Sequence, residues 1–387
     1  MQIDFHYYAT YSACILAGYS HEESVDICYS SLFTDFCTRD FLSKINAPLS
    51  AATSQKQVEL LDAPTDVLGL QDITRIWSSF HFLPGDLYAE KRGTGVYKMK
   101  YRLICSPNGA LLADVVNNAK DRSYQAIGIA MHVLADTWAH RYFAGTPSLV
   151  INNTNSFFYE IMPNGEERRI SFSHNPSLKD DPDKSLYVAS IYTPGENSIM
   201  NLGHGRAGHL PDYSYIRYKY LPAWGEYEEI LKDNPSDYYF AFCQMVYALR
   251  FLHGNEKEFR LNTYSEDAVA PYKERISAII SKRQILSCDE WRVFGEELSG
   301  EKIPDFSMET YTDEYINAKD DARDDTFLGK YVIAAMRQKS LVTGKIFNSG
   351  NRLAGFSADY RESGFQGIRD YMKIVEDEIK RKRHHNE

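Results

Sequence analysis

Between residues 123 and 143 the chain reads SYQAIGIAMHVLADTWAHRYF, and this stretch constrains the fold more than any other. Tyr124, Ile127, Met131, Leu134, Trp138 and Tyr142 recur at spacings of three and four, which predicts an amphipathic helix over 123 to 143. The same helix carries His132, Asp136 and His140. Each four-residue step turns only about 40° round a helix, so the three project from one face. Each step also climbs about 6 Å, which puts the two histidines about 12 Å apart, too far for one zinc with ligand bonds of about 2 Å. Adjacent pairs can chelate and the trio cannot, so the spacing suits two metals, with Asp136 serving either or bridging both.

Helical signals dominate the rest of the chain. A small-residue and aromatic segment at 7 to 17 stops at Gly18, and a second helix opens on the capping-box pattern of Ser20 and Glu23 and runs to Cys37. Asp35 falls in its last turn, where a carboxylate opposes the helix dipole and asks for a nearby cation. From 149 to 172 β-branched and aromatic runs flank Pro163-Asn164-Gly165-Glu166, which predicts a hairpin. A Pro-, Gly-, Asn- and His-rich loop region follows to about 224. Helix returns from Asn234-Pro235 to Gly254, again after a Ser287/Glu290 cap, and in two charged amphipathic segments at about 311 to 340 and 359 to 383. The expectation is a mainly α protein: one helical metal-binding domain over 1 to 387, with a hairpin and loop insertion at about 146 to 225.

Composition excludes several classes. At 387 residues, 43 % hydrophobic and 25 % charged, the chain can build an ordinary core without staples. Its six cysteines form no CxxC pair, so a zinc ribbon or disulfide framework is not expected. A net charge of -10 opposes broad nonspecific nucleic-acid binding. The opening MQIDFHYYATYSACILAGYS lacks a basic start and an unbroken apolar run, and no stretch reaches a membrane span, so a cytoplasmic protein is expected, active in unprocessed form. GxxxxGK[ST] and GxSxG are absent, which leaves P-loop nucleotide cradles and serine-elbow hydrolases without support.

Four further regions offer metal ligands. Asp4 and His6 lie two apart, an extended spacing that points both one way. Asp35 carries the misplaced charge. His81 lies in SSFHFLPGD, before Pro84. His204, His209 and Asp212 fall in GHGRAGHLPDYSY, where glycines allow close backbone approach and Arg206 suits a phosphate oxygen. His21, His174, His253 and the tail histidines His384 and His385 read as structural or solvent-facing.

Taken together, DFHYY, Asp35, the HF at 81 to 82 and HVLADTWAH at 132 to 140 resemble the bacterial zinc-dependent phospholipase C and P1 nuclease superfamily. Over most of its length the chain is also similar to an uncharacterised bacterial family whose members open with a DFHYYATY-like segment. The superfamily resemblance implies a multi-helix bundle holding three zinc ions, with His6, Asp35, His81, His132 and Asp136 as ligands and His140 starting the next site. Its secreted members use a processed amino-terminal residue as a ligand; here Asp4 would have to substitute, or that third site is missing. Its final HxxxE is absent, and His204, His209 and Asp212 stand in for it. The function so implied is hydrolysis of phosphoric esters by a water activated on two or three zinc or similar ions. Asp35 or Asp136 would orient the nucleophile, and the substrate would be a small phosphoester, a lipid headgroup or an oligonucleotide. Two alternatives remain at this point: a structural metal in a binding or assembly protein, and a metal-free helical protein whose histidines are satisfied core groups.

Overall fold

A computed structural model describes residues 1–56, 67–92, 95–146, 149–155, 157–175, 177–189, 202–319 and 321–351. The protein is mainly helical with a small sheet region. The helices used below are α1 (Thr10–Ala17), α2 (His21–Phe33), α3 (Val67–Phe80), α4 (Ala110–Ala119), α5 (Tyr124–Ala139), α6 (Asn234–His253), α7 (Cys288–Ser299) and α8 (Phe327–Asn348). The expected segment at 359 to 383 and the tail histidines His384 and His385 lie outside the described residues.

Helix α5 is the centre of the molecule, with Gln125 and every residue from Ile127 to Ala139 buried. An all-round buried helix must be packed on several sides; α2, α6, α8 and α4 supply these contacts. Gly128 lets α2 come close, since a Cβ there would stand 2.4 Å from the Ile27 carbonyl oxygen and 2.6 Å from Ser30 Cβ. The helix ends four residues earlier than expected from the sequence. His140 is its C-cap, and Tyr142, at φ 84°, turns the chain away to bond Cys105.

Several boundaries differ from the sequence reading for local reasons. Residues Asp4–Ala9 form a π-helical turn that runs into α1, so Asp4 and His6 are not on an extended segment and their side chains diverge. The Ser20/Glu23 capping box forms, but α2 stops at Phe33, and Asp35 sits in the turn that follows. Ser287 precedes α7 without capping it, because its hydroxyl donates to the Ile279 carbonyl; Glu290 accepts from Gln284 instead. The segment at 311 to 340 breaks into Thr312–Asn317 and α8, and α8 is N-capped by Thr326 accepting from the Gly329 amide.

The hairpin belongs to a larger sheet. Strands β1 (Tyr159–Ile161) and β2 (Glu167–Arg169) pair antiparallel round Gly165, which has φ 83°. They are followed by β3 (Ser171–Ser173), β4 (Leu186–Val188), β5 (Arg217–Tyr220) and β6 (Ile230–Asp233). The four-stranded order is β2-β1-β5-β6, and β3 pairs parallel with β4. The β region therefore reaches Asp233, past the expected limit of about 225. Phe82, Phe143, Phe158, Leu210, Tyr218 and Tyr220 form an aromatic cluster beneath it, separate from the main helical core. Among the described residues no helix is long and apolar enough to cross a membrane.

Candidate metal centre

The face of α5 bearing His132 and Asp136 looks into the junction between the helical core and the aromatic cluster. Chain elements distant in sequence converge there. The π-helical turn delivers His6, the turn after α2 delivers Asp35, and the segment after α3 delivers His81. The loop before β5 delivers His204 and Asp212.

Asp136 is the hub, 1 % exposed. Its Oδ2 lies 3.2 Å from His81 Nδ1 and 3.2 Å from His132 Nε2, and these two nitrogens are 3.1 Å apart. Four donors about 2.0–2.1 Å from a tetrahedral zinc are separated from one another by about 3.3 Å, so this triangle has the spacing of one face of such a site. Asp35 Oδ1 stands off the same two nitrogens at 3.7 and 3.8 Å. Asp136 Oδ1 turns the other way, 3.1 Å from His6 Nε2, and the rings of His6 and His132 stack 3.8 Å apart.

A second neighbourhood forms round Asp212. Its Oδ1 lies 2.9 Å from His140 Nε2 and its Oδ2 3.3 Å from His204 Nε2. His140 Nδ1 donates to the His81 carbonyl oxygen at 2.6 Å, and its ring stacks on Phe82. Three groups of donors result, each with atoms within 4.8 Å of one another: His6, Asp35 and His132; His81, His132 and Asp136; His140, His204 and Asp212. These buried groups could hold metal ions.

The remaining sequence candidates fall elsewhere. Asp4 is buried, but its carboxylate accepts from the amides of Phe5 and Ser287 and so caps the start of α7. It joins none of the three groups, because the helical turn sends it away from His6. Burial pushes its carboxyl up to about 6 against those two bonds. His209 donates from Nδ1 to Asp212 Oδ2 at 3.2 Å with its side chain 56 % exposed, and it too lies outside the groups. Arg206 is half-buried on the turn Gly205–Ala207 beside His204.

The α-amino group of Met1, rather than Asp4, reaches this centre. That nitrogen lies 2.7 Å from Asp136 Oδ1 and 3.2 Å from Asp212 Oδ1, fully buried. A backbone amine has no side-chain signature, so residue types and spacing could not point to it.

Electrostatics fit a cation. Three carboxylates, Asp35, Asp136 and Asp212, face one ammonium. Burial works against the charge on the amine, yet Asp136, Asp212 and Asp35 outweigh it and raise the amine to about 11. Burial would raise the carboxyls of Asp136 and Asp212, but neighbouring imidazoles and the amine hold both well below the usual carboxylate range. Burial pushes His6 well below the ordinary imidazole value and lowers His140, toward the neutral form that ligates. His81 moves up, because Asp136 and then Asp35 outweigh its burial. Buried anionic charge of this kind is stable only when paired or metal-bound, and neutral imidazoles beside ionised carboxylates are a donor set suited to zinc or a similar ion.

Fold and site thus define a mainly helical protein with a buried histidine–aspartate centre able to hold metal. The chain belongs to a family of unknown function, DUF6765, whose model matches residues 1–346. No curated protein and no solved structure matches it.

Proposed function

We propose that the protein is a metal-dependent hydrolase of phosphoric esters. The observation that carries this reading is the Asp136 carboxylate, which divides its two oxygens between the His81/His132 pair and the His6/amine pair. A carboxylate so placed is able to bridge two ions. The resemblance to the zinc-dependent phospholipase C and P1 nuclease superfamily supports the same reading, including an amino-terminal ligand.

His6, His81, His132, His140, His204, Asp35, Asp136 and Asp212 would hold two or three ions, and the Met1 amine, on giving up its proton to an incoming ion, would be a further donor. Bound zinc or a similar ion supplies a water of lowered pKa and positive charge for the phosphoryl oxygens. Asp35, with about a third of its side chain exposed, is the carboxylate that reaches solvent, and it orients the attacking water. Asp136 holds His81 and His132 in register. Arg206, on the turn beside His204, is the candidate contact for a phosphoryl oxygen. The substrate class is a small phosphoester, a lipid headgroup or an oligonucleotide.

Near-complete burial of His6, His132 and Asp136 favours a second reading, a structural metal in a non-catalytic binding or assembly protein. One substitution separates the two. In Asp136→Asn the volume is kept and the bridging charge is lost, so bound metal and phosphoester turnover both collapse under the first reading while the fold persists. Under the second, metal loss and unfolding coincide, since binding free energy is then folding free energy. Elemental analysis, thermal midpoint and turnover on a phosphoester panel are measured on one preparation. Full metal occupancy with full turnover in the variant overturns the assignment.

A further inference from the structure

A cavity of about 330 Å³ opens between the α4–α5 corner and α8, on the opposite end of α5 from the metal centre. Its lining has two parts. Val115, Ala119, Ala126, Ile129, Ile333 and Ala334 make an apolar floor. Arg122, Lys330 and Arg337 stand at the rim with Asn118, Ser123, Gln338 and a single acid, Asp121.

Three cations against one carboxylate is an inversion of the whole chain, whose net charge is -10. Among the described residues none of the three lies within ion-pair distance of a carboxylate; Lys330 acts on Asp26 only from further off. Arg122 is instead held in place by its Nε, which donates to the Asn118 carbonyl oxygen at 2.7 Å. Unpaired like charges gathered at one rim repel, and an anion between them removes that repulsion. The cavity size falls in the range of small-molecule sites, and an apolar floor with a few convergent polar groups is their usual construction.

We propose that this cavity binds a small amphipathic oxyanion, a phosphate or carboxylate group carrying a compact apolar body. The oxyanion sits among Arg122, Lys330 and Arg337, and the apolar body covers Ala126, Ile129 and Ile333. Ser123, beside the cationic rim, precedes His132 by nine residues, about 13 Å along the helix axis, whereas the floor residue Ile129 precedes it by three, about 5 Å. None of the lining residues belongs to the three donor groups, so the inference does not rest on the proposed hydrolase activity.

The test is calorimetric titration of the full chain with phenylphosphonate, benzoate and inorganic phosphate at low ionic strength. Phenylphosphonate carries a carbon–phosphorus bond that a phosphoester hydrolase leaves intact. The expected result is that it binds more tightly than inorganic phosphate and loses affinity as salt rises. In the exposed double variant Lys330→Gln/Arg337→Gln affinity drops by about tenfold or more, with metal content and thermal midpoint unchanged. Benzoate decides between the two oxyanion types by its rank against phenylphosphonate. Equal binding by the double variant assigns the ligand elsewhere, the metal centre included, and overturns the proposal. So does equal affinity for inorganic phosphate, or no binding at all.

Discussion

His81 donates from Nε2 to the carbonyl oxygen of Thr53, 2.9 Å away, and this one bond fixes which ring nitrogen faces the metal centre. A carbonyl only accepts, so Nε2 carries a proton and Nδ1 is the nitrogen left to face Asp136 and His132. Thr53 is itself held: its hydroxyl donates to the Thr34 carbonyl oxygen at 2.7 Å, and the Tyr331 hydroxyl donates to Thr34 Oγ1 at 3.1 Å. Thr34 immediately precedes Asp35. Helix α8 thus supports two candidate ligands from a residue far along the chain.

Tyr331→Phe tests that support. The ring still fills its buried place, and the lost hydroxyl costs about 1 kcal/mol of stability. Metal affinity should fall by up to about tenfold, because the partners of a ligating histidine set its orientation. Competition titration against a metal indicator reads the affinity and a thermal melt reads the stability. Unchanged affinity would show that the network serves packing alone.

The amine of Met1 makes a second prediction. One glycine added ahead of Met1 turns the buried ammonium into an amide and leaves Asp136 and Asp212 without that partner. Breaking a buried charge pair costs about 3–5 kcal/mol, so the extended chain should melt at clearly lower temperature and hold less metal. An extended chain that matches the original in both measurements removes the amine from the centre.

Gly128→Ala addresses the fold that positions the site. Alanine favours a helix interior by up to about 1 kcal/mol, but its methyl would overlap the Ile27 carbonyl oxygen and Ser30, both on α2. Overpacking of this kind costs about 1–3 kcal/mol, so the net effect is destabilising. Because α2 leads into Asp35, metal affinity should weaken as well. Denaturant unfolding that shows a gain in stability would contradict the close approach.

How much of this was legible in the sequence depends on what carries each feature. The α5 stripe was readable because side-chain period reports helix face directly, and the split of His132, Asp136 and His140 between two neighbourhoods follows from rise per residue. Spacing two points Asp4 and His6 one way only on an extended backbone, whereas Asp4–Ala9 is helical and leaves Asp4 outside the three donor groups. Strand β5, RYKY, carries a period-two signal within the stretch expected to be loop: Tyr218 and Tyr220 are buried and Arg217 and Lys219 partly exposed. The Met1 amine and the Thr53 carbonyl are backbone groups, which every residue possesses, so residue identity could not mark them. His204 and Asp212 meet His140 through a loop that includes Gly203 at φ 53° and Gly208 at φ 55°. The glycines were visible, but the path they permit was not.

The last prediction separates the metal groups by counting. His132 belongs to two of the three donor groups, with His6 and Asp35 in one and with His81 and Asp136 in the other; His204 belongs only to the group with His140 and Asp212. If each group holds an ion, His132→Ala removes a donor from two sites and His204→Ala from one. Bound metal should fall by about two equivalents in the first variant and about one in the second, since a site reduced to two protein donors holds metal weakly. Stability separates the variants further. His132 is fully buried, so its loss also opens a cavity in the core, whereas the side chain of His204 is 15 % exposed and its loss is met partly by solvent. Elemental analysis of both proteins, purified without a histidine tag and compared with the parent, gives the two numbers. Equal metal loss in the two variants would mean that the groups do not act as separate sites, and the two-neighbourhood description of Asp136 and Asp212 would have to be abandoned.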